Sequence, residues 1–324
     1  MSDVVLALSA GDPSGVGPEV IRAAVRRLPR GIRLVVFGDA SLLGRRTSPK
    51  IELVAVTRLP PSDRRPGRPT RAGGRAQLAY LEAAVVHVES GRAAGLVTAP
   101  VSKRAIAVAN DVPFLGHTEW LAYRAGSGAA GVAMCFVAGS LKVALATTHV
   151  PLRGVARSLT ARRIVRTGEL LFTYLRGLEG VRRPRILVAA LNPHAGEGGL
   201  VGGEEARMIA PAVRQLRRRL GRGGDVEGPI PADAVFRIAA ADPRAGVVAL
   251  YHDQATIPVK LVAFGGAANV TLGLPYLRTS VDHGVAYDIA GRGIADPGGL
   301  QAAVALAARH ARKARRIVWT SGTN

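Results

Sequence analysis

The chain is poor in cysteine, lysine and aromatic residues, and it lacks any long hydrophobic run. Its single cysteine, Cys135, excludes an intrachain disulfide, and its place in the apolar run 132–137 predicts an inert, buried thiol. No apolar run approaches the roughly 18 residues that a membrane helix needs. The first apolar run follows Asp3 and has no Lys or Arg before it, so a secretory signal is not expected. These absences predict a globular protein of the reducing cytoplasm with no membrane partner.

The charge of the chain is one-sided. It has 44 basic and 23 acidic residues, a net charge of +21, which is compatible with nucleic-acid binding. Only five of the basic residues are lysines, and the arginines are spread along the chain. The densest basic stretches, 64–75, 214–222 and 309–316, contain no aromatic residue for base stacking. We expect a solvated basic surface that favours an acidic small molecule, and no nucleic-acid partner.

Strand-length apolar runs alternate with segments of helical period, which predicts a mainly parallel α/β sheet. The predicted strands are 3–9, 33–37, 51–56, 95–98, 132–138, 141–147, 185–191 and 246–251. The predicted helices are 18–28, 74–90, 160–178, 203–220 and 298–315. Gly139-Ser140 between two of the strands indicates an antiparallel hairpin. The Pro/Gly/Arg-rich segment 59–74 is predicted to be a surface loop.

Five of the seven histidines stand in loop-like contexts: His117, His149, His194, His252 and His283. Three of these, His149, His194 and His252, come directly after predicted strands. Ligands of open α/β sheets bind outside the carboxyl ends of the strands, so these three imidazoles could converge. Three neutral imidazoles with an open fourth position are typical of a catalytic divalent-metal site. Polar loop residues hydrogen-bonded to backbone are the plainer alternative, and the spacings do not decide between them.

The stretch GDPSGVGPEV, residues 11–20, lies between a predicted strand and a predicted helix, as a dinucleotide-binding loop would. The match is weak, because Val20 replaces the third glycine or alanine and Pro18 has no N–H to offer a pyrophosphate. Asp39, at the end of the next strand, would be the ribose-binding acid of such a site. We interpret the loop as a tight connection at the edge of a cleft, with the carboxylates of Asp12 and Glu19 available to a ligand.

Two later stretches carry further candidate groups. NPHAGEGG, residues 192–199, is the most glycine-rich loop, and Glu204 and Glu205 after it suit the start of a helix. Lys260, Asn269 and Arg278 would together supply donors for a phosphate or carboxylate. Apolar neighbours of Lys260 predict partial burial, which would lower its pKa and suit it to proton transfer.

Taken in order, eight stretches resemble the 4-hydroxythreonine-4-phosphate dehydrogenase (PdxA) family. They are GDPSGVGPEV, TAPVSK, GHTEWLA, TTHVPL, LNPHAGEGG, GPIPADAVF, YHDQATIPVK and NVTLGLPYLRTSVDHGVAYDIAG. The resemblance runs from about residue 5 to residue 305. Two departures, Ser14 and the run 255–257, stand where the family more often has alanine and a glycine, and neither removes a ligand.

The resemblance implies a fold like that of isocitrate and isopropylmalate dehydrogenases, with two α/β domains flanking a central cleft. The first domain would comprise 1–118 and 280–324. The second, 119–279, would carry the metal ligands and the dimer interface. NAD or NADP would bind without the dinucleotide fingerprint, and the active site would be shared between the subunits of a homodimer.

The resemblance also implies the roles of individual residues. One divalent cation (Zn, Mg or Co) would be held by three histidines, namely His149, His194 and His252. Substrate would be bound by the residues His117, Thr118, Lys260, Asn269 and Arg278. Asp233 of the PAD motif would line the site, and Lys260 or Asp233 would move the proton.

The implied reaction is oxidation of 4-phosphooxy-L-threonine at C3 followed by decarboxylation to 3-amino-2-oxopropyl phosphate, in the biosynthesis of vitamin B6. Close relatives oxidise other 4-phosphorylated hydroxy acids, such as D-threonate or D-erythronate 4-phosphate, and share the metal and phosphate motifs. That substrate class stays open as an alternative, and a nucleic-acid-binding α/β protein is a remote one.

Overall fold

The computed structural model describes residues 3–44 and 48–314. Its strands are β1 (Val4–Ser9), β2 (Ile32–Asp39), β3 (Ile51–Thr57), β4 (Leu96–Thr98), β5 (Ala133–Ala138), β6 (Leu141–Leu145), β7 (Arg185–Ala189), β8 (Asp225–Ile230), β9 (Ala245–Ala249), β10 (Ala268–Leu272) and β11 (Arg278–Ser280). Its α-helices are α1 (Gly17–Ala24), α2 (Arg71–Glu89), α3 (Lys103–Asn110), α4 (His117–Arg124), α5 (Gly128–Gly131), α6 (Val155–Ser158), α7 (Ala161–Gly177), α8 (Ala210–Leu220), α9 (Ala232–Ala241), α10 (His252–Val262) and α11 (Gly298–Ala314). The predicted α/β class is confirmed. The ends of the predicted helix 298–315 and of the basic stretch 309–316 lie outside the described residues.

The described residues divide into two compact units. Unit 1 comprises those up to Leu121 and from Tyr276 onward, and unit 2 comprises Ala122–Pro275. The domain boundaries implied by the resemblance, after 118 and after 279, stay a prediction. No helix in the described part of the chain is both long and apolar enough to cross a membrane.

Unit 1 contains five parallel strands in the order β3-β2-β1-β4-β11. Helix α2 packs against β1 and β2, and α11 packs against β11 and β1. Strands covered on both faces favour unbroken apolar sequences. In β2, the four residues Leu34-Val35-Val36-Phe37 form such a sequence, and all four are buried. Thr70 caps α2 by accepting a hydrogen bond of 3.0 Å from the N–H of Gly73. The helix therefore begins at Arg71. The prediction that the surface loop extends to residue 74 was wrong.

Unit 2 contains six strands in the order β10-β5-β6-β9-β7-β8. The hairpin of β5 and β6 is antiparallel as predicted, and Gly139 turns it with a φ of 57°. Strands β6, β9, β7 and β8 are parallel, so their carboxyl ends lie at one edge. Cys135 is buried in β5, as predicted, and burial raises the pKa of its thiol.

Candidate active site

The glycine loop after β1 is a packing element of unit 1. Gly11 has a φ of +71°, and a Cβ there would lie 2.2 Å from the carbonyl oxygen of Pro100, so only glycine fits. The buried carboxylate of Asp12 accepts hydrogen bonds from the Ser14 N–H, the Gln77 amide and the Tyr287 hydroxyl. Burial raises the pKa of Asp12, and these hydrogen bonds partly offset that rise. The expectation that Asp12 is available to a ligand was wrong, because its oxygens hold the loop together.

Asp39 is likewise engaged inside unit 1. Its carboxylate accepts hydrogen bonds from the N–H and hydroxyl of Ser41, the hydroxyl of Thr57 and the N–H of Leu59. Burial tends to raise the pKa of Asp39, but these donors outweigh it and the pKa is lowered. Both carboxylate oxygens are thus engaged within the protein, which agrees with rejecting the dinucleotide-loop interpretation.

His117 and Arg278 are two residues of unit 1 whose side chains have buried nitrogen atoms. His117 is the first residue of α4, and its Nε2 is buried with no hydrogen-bond partner in the described residues. Burial, followed by the charges of Arg278 and Lys103, lowers the pKa of His117 well below its ordinary value, so its imidazole is neutral at pH 7. Arg278 is buried in β11, where its Nη2 donates a hydrogen bond of 2.7 Å to Thr98 Oγ1. Burial lowers the pKa of Arg278 to about 10, which leaves it charged at pH 7.

Two of the three strand-end histidines meet in unit 2. His149 follows β6 and His252 begins α10 after the neighbouring strand β9, and their ring centroids lie 5.7 Å apart. His252 and His117 had been predicted to lie in loops, but each is the first residue of a helix. The Nδ1 atom of His252 lies 2.7 Å from Oδ1 of Asp253.

His194 lies in a turn of unusual backbone conformation. Five consecutive residues, 194–198, have positive φ between 43° and 79°, and three of them are not glycine. Each such residue costs roughly 1–2 kcal/mol, so the turn needs support from its surroundings. His194 Nδ1 lies 2.5 Å from Oε1 of Glu197, and this hydrogen bond, with the charges of Glu197 and Asp233, raises the pKa of His194.

Two groups that sequence reasoning did not assign to the site hold the strand ends of unit 2. The buried carboxylate of Glu205 accepts hydrogen bonds from the N–H groups of Leu191 and Asn192 and from the Asn192 amide. Glu205 therefore supports the turn that contains His194. The sequence predicted only that its charge suits the start of a helix. Gln254 joins the ends of β9 and β7, because it accepts from the Leu250 N–H and donates to the Ala190 carbonyl, both at 2.7 Å. In the sequence, only the motifs NPH and YHDQ marked the regions where Glu205 and Gln254 form these hydrogen bonds.

The remaining predicted residues are spread over the two units. Lys260 is exposed on α10, so the burial expected from its apolar neighbours is not found in the fold. Asp233 is exposed in the first turn of α9. Asn269 is buried in β10, and its Oδ1 has no hydrogen-bond partner in the described residues. Thr118 is half-buried in the first turn of α4, in unit 1.

The predicted trio of histidines is not assembled within one chain. Over residues 3–44 and 48–314, no three His, Cys, Asp or Glu side chains come together in an arrangement that could hold a metal ion. His149 and His252 supply two adjacent imidazoles, while the side chain of His194 is 70% exposed. A metal site with three histidines therefore stays a prediction.

Polar side chains gathered at strand ends of two α/β units are the arrangement of an α/β enzyme. The chain belongs to the family described as "Pyridoxal phosphate biosynthetic protein PdxA", whose family model matches residues 18–307. The resemblance noted from the motifs is thereby confirmed.

Named relatives agree with this family. A 4-hydroxythreonine-4-phosphate dehydrogenase of Chromobacterium violaceum is 44% identical, over 96% of this chain and 98% of its own. The solved structure of a Klebsiella pneumoniae enzyme of the same name is 35% identical, with a TM-score of 0.84 over 96% of this chain and all of its own. A terephthalate 1,2-cis-dihydrodiol dehydrogenase from Burkholderia xenovorans is 32% identical, with a TM-score of 0.64 over 95% of this chain and 98% of its own. The fold is therefore shared by dehydrogenases with different substrates.

Proposed function

We propose that the protein oxidises 4-phosphooxy-L-threonine at C3 with NAD or NADP and decarboxylates the product to 3-amino-2-oxopropyl phosphate, in the cytoplasm. The observation that carries the proposal is the pairing of His149 and His252 at neighbouring strand ends, in a chain of this family. The names of relatives that are 40–44% identical over nearly the whole chain support this substrate over the other phosphorylated hydroxy acids.

The donor chemistry around the histidines fits a divalent cation. Metal-binding histidines usually donate the N–H of one ring nitrogen to a carboxylate, which leaves the other nitrogen for the metal. Two of the candidate ligands have such a partner on Nδ1: Glu197 on His194 at 2.5 Å, and Asp253 on His252 at 2.7 Å. Nε2 of His194 and of His252, together with His149, would hold the ion, which stays unassigned among Zn, Mg and Co.

The cation, when bound, supplies Lewis-acid polarisation of the substrate's hydroxyl and keto oxygens, and the nicotinamide accepts the hydride. The chain's own residues position the substrate and move the proton. His117 and Thr118 begin α4, where backbone N–H groups and the helix dipole favour an anion, and Arg278 adds a buried charge. Asn269 presents a buried amide oxygen that a substrate N–H would satisfy. Lys260 or Asp233 would protonate the carbon that loses CO2.

The exposed position of Lys260 supports a homodimer with shared sites. Lys260 is eight residues beyond His252 on α10, so it lies about 12 Å further along the helix axis. It therefore stands about two helical turns away from His252. Four large apolar side chains around it are strongly exposed: Ile257 60%, Leu261 81%, Val262 57% and Phe264 87%. We propose that this face is covered by a second copy of the chain, which would bury Lys260 in the partner's site.

A substrate panel tests the proposed function. Purified protein with Zn, Mg or Co is given 4-phosphooxy-L-threonine, D-threonate 4-phosphate, D-erythronate 4-phosphate and terephthalate cis-dihydrodiol, each with NAD and with NADP. We expect the highest kcat/KM for 4-phosphooxy-L-threonine. A higher kcat/KM for a 4-phosphorylated sugar acid would select the alternative substrate class. Absence of nicotinamide reduction throughout, with salt-sensitive DNA binding, would favour the remote alternative.

A further inference from the structure

The first residues of helices α3 and α4 lie beside each other in unit 1. α3 begins at Lys103, and α4 begins at His117 directly after Gly116. A Cβ built on Gly116 would lie 2.8 Å from Oε2 of Glu119, and 3.3 Å from Cε and 3.5 Å from Nζ of Lys103. The ammonium group of Lys103 therefore rests against the backbone that leads into His117. The glycine of the GHTE motif is explained by its φ of +157° and by the carboxylate of Glu119, which a side chain at position 116 would meet first.

Lys103 is held at this position by its neighbours in the chain. Ser102 caps α3, since its Oγ accepts a hydrogen bond of 3.2 Å from the N–H of Ala105. The N–H of Ser102 donates in turn to Oε1 of Gln77 at 2.8 Å. The amide of Gln77 also binds Asp12, so the start of α3 is tied to the glycine loop after β1. The backbone at the start of α3, which carries Lys103, is thus fixed by a hydrogen-bonded network.

The local structure gives no reason for a lysine here. A positive charge in the first turn of a helix opposes the helix dipole and is unfavourable. Lys103 is exposed, and it makes no hydrogen bond or ion pair within the described residues. It is also one of only five lysines in a chain with 44 basic residues. Glu119 lies nearby, but Lys103 forms no ion pair with it in the described residues. A charge that is unfavourable at this position and not ion-paired is explained if a ligand supplies the partner.

The groups next to Lys103 suit an anionic ligand. His117 Nε2 is buried without a hydrogen-bond partner in the described residues, so a ligand oxygen could accept its proton. The positive charges of Lys103 and Arg278 both act on this imidazole. The first N–H groups of α3 and α4 add two positive helix ends. Because one Nη of the buried Arg278 donates to Thr98, the exposed positive charge beside His117 is that of Lys103.

We infer that Lys103 is a further substrate-binding residue, whose ammonium group binds the substrate's phosphate beside His117. The inference rests on the proposed function in one respect, namely that the substrate is phosphorylated. A phosphate monoester carries a charge of about −1.5 to −2 at pH 7 and has three acceptor oxygens. A lysine with its helix N-terminus and a neutral histidine donor match that charge and those oxygens. The substrate's carboxylate, with a single charge, is the alternative occupant that the experiment distinguishes.

The test compares Lys103→Met with Arg104→Met, a matched control at the next, equally exposed position of α3. We measure kcat and KM for 4-phosphooxy-L-threonine and the inhibition constant of inorganic phosphate. Lys103→Met should raise KM roughly ten- to a hundredfold, as expected for loss of a charge-assisted contact, and change kcat by less than about threefold. The inhibition constant of phosphate should rise in parallel, and Lys103→Arg should restore part of both. Arg104→Met should resemble the wild type.

Three results overturn the inference. A KM and a phosphate inhibition constant within about twofold of wild type in Lys103→Met would remove the lysine from substrate binding. A raised KM with an unchanged phosphate inhibition constant would show that the lysine binds the substrate's carboxylate instead.

If the wild type oxidises none of the substrates, the proposed function fails. The role of the lysine is then tested by the rise in Tm that inorganic phosphate causes. That rise should be present in the wild type and Arg104→Met and lost in Lys103→Met; an equal rise in all three contradicts the inference.

Discussion

The hydroxyl of Tyr287 donates a hydrogen bond of 2.6 Å to Oδ2 of Asp12, which lies 275 residues earlier in the chain. Asp12 belongs to the GDPSG motif and Tyr287 to the VDHGVAYDIAG motif, and both motifs lie in unit 1. Gln77 donates to the same oxygen at 2.9 Å and links it to Ser102. The two motifs therefore meet at one buried carboxylate, which holds the glycine loop and the start of α3 in place.

Replacement of Tyr287 by phenylalanine should destabilise the protein. The hydrogen bond joins a hydroxyl to a buried carboxylate, and such bonds contribute about 1.5–3 kcal/mol. We expect Tyr287→Phe to lower the free energy of unfolding at pH 7 by that amount, as measured by urea denaturation. In a double-mutant cycle with Asp12→Asn, the coupling should be about 1 kcal/mol or more. Additive effects of the two substitutions would show that the hydrogen bond contributes nothing.

The buried imidazole of His117 should make stability depend on pH. Its folded-state pKa lies well below the ordinary 6.5, so the unfolded chain binds the proton first as the pH falls. The free energy of unfolding should therefore be highest above pH 6.5 and fall below it, by up to about 1.4 kcal/mol per pH unit for this one group. His117→Gln should flatten the slope between pH 6.5 and 5. The exposed His283→Gln serves as the control for a histidine substitution. Equal slopes in the wild type and His117→Gln would contradict this account.

Loss of the carboxylate partner of His194 should weaken metal binding. Glu197→Gln keeps the size of the side chain but removes the charge that orients the imidazole. By analogy with other carboxylate–histidine pairs, we expect the Kd of Zn or Co to rise roughly ten- to a hundredfold, measured by calorimetry with purified protein. Glu82→Gln, on the helix α2, serves as the control. An unchanged Kd in Glu197→Gln would separate Glu197, and with it the positioning of His194, from the metal.

Shared active sites should permit complementation between inactive variants. His149→Ala and Lys260→Ala are each expected to be inactive as homodimers. If the two residues enter one site from different subunits, a mixed dimer has one intact site, and an equal mixture should recover about a quarter of wild-type activity. Sedimentation of the wild type checks the dimer directly. A fully active monomer at assay concentration, or no recovery after verified subunit exchange, would argue against a shared site.

The elements that the sequence predicted well were those whose apolar pattern is local. Strands such as β2 and β9 are buried on both faces, so their sequences are unbroken apolar runs. β10 and β11 were missed because they carry Asn269 and Arg278, polar residues that are buried only in the assembled fold. α4 and α10 begin at His117 and His252, whose motifs look like turns in isolation. Sequence alone could not show these tertiary effects.

The candidate site was only partly predictable for the same reason. The sequence placed three histidines after predicted strands and predicted that they could converge; the rings of His149 and His252 lie 5.7 Å apart, and the position of His194 stays a prediction. The left-handed turn that directs His194 depends on Glu205, 11 residues later, and no local pattern marks it. The exposure of Lys260 could not be foreseen either, because its apolar neighbours Leu261 and Val262 are themselves exposed in the fold.

The measurement that tests the central claim most directly is the stoichiometry of the reaction. Metal-free protein is mixed with 4-phosphooxy-L-threonine and NAD or NADP, and reduced nicotinamide and CO2 are quantified before and after addition of Zn, Mg or Co. The account predicts negligible turnover without metal and equal amounts of reduced nicotinamide and CO2 with it. It also predicts at least about a hundredfold loss of kcat in His149→Ala and in His252→Ala. Full turnover in metal-free protein, or wild-type kcat in both variants, would contradict it.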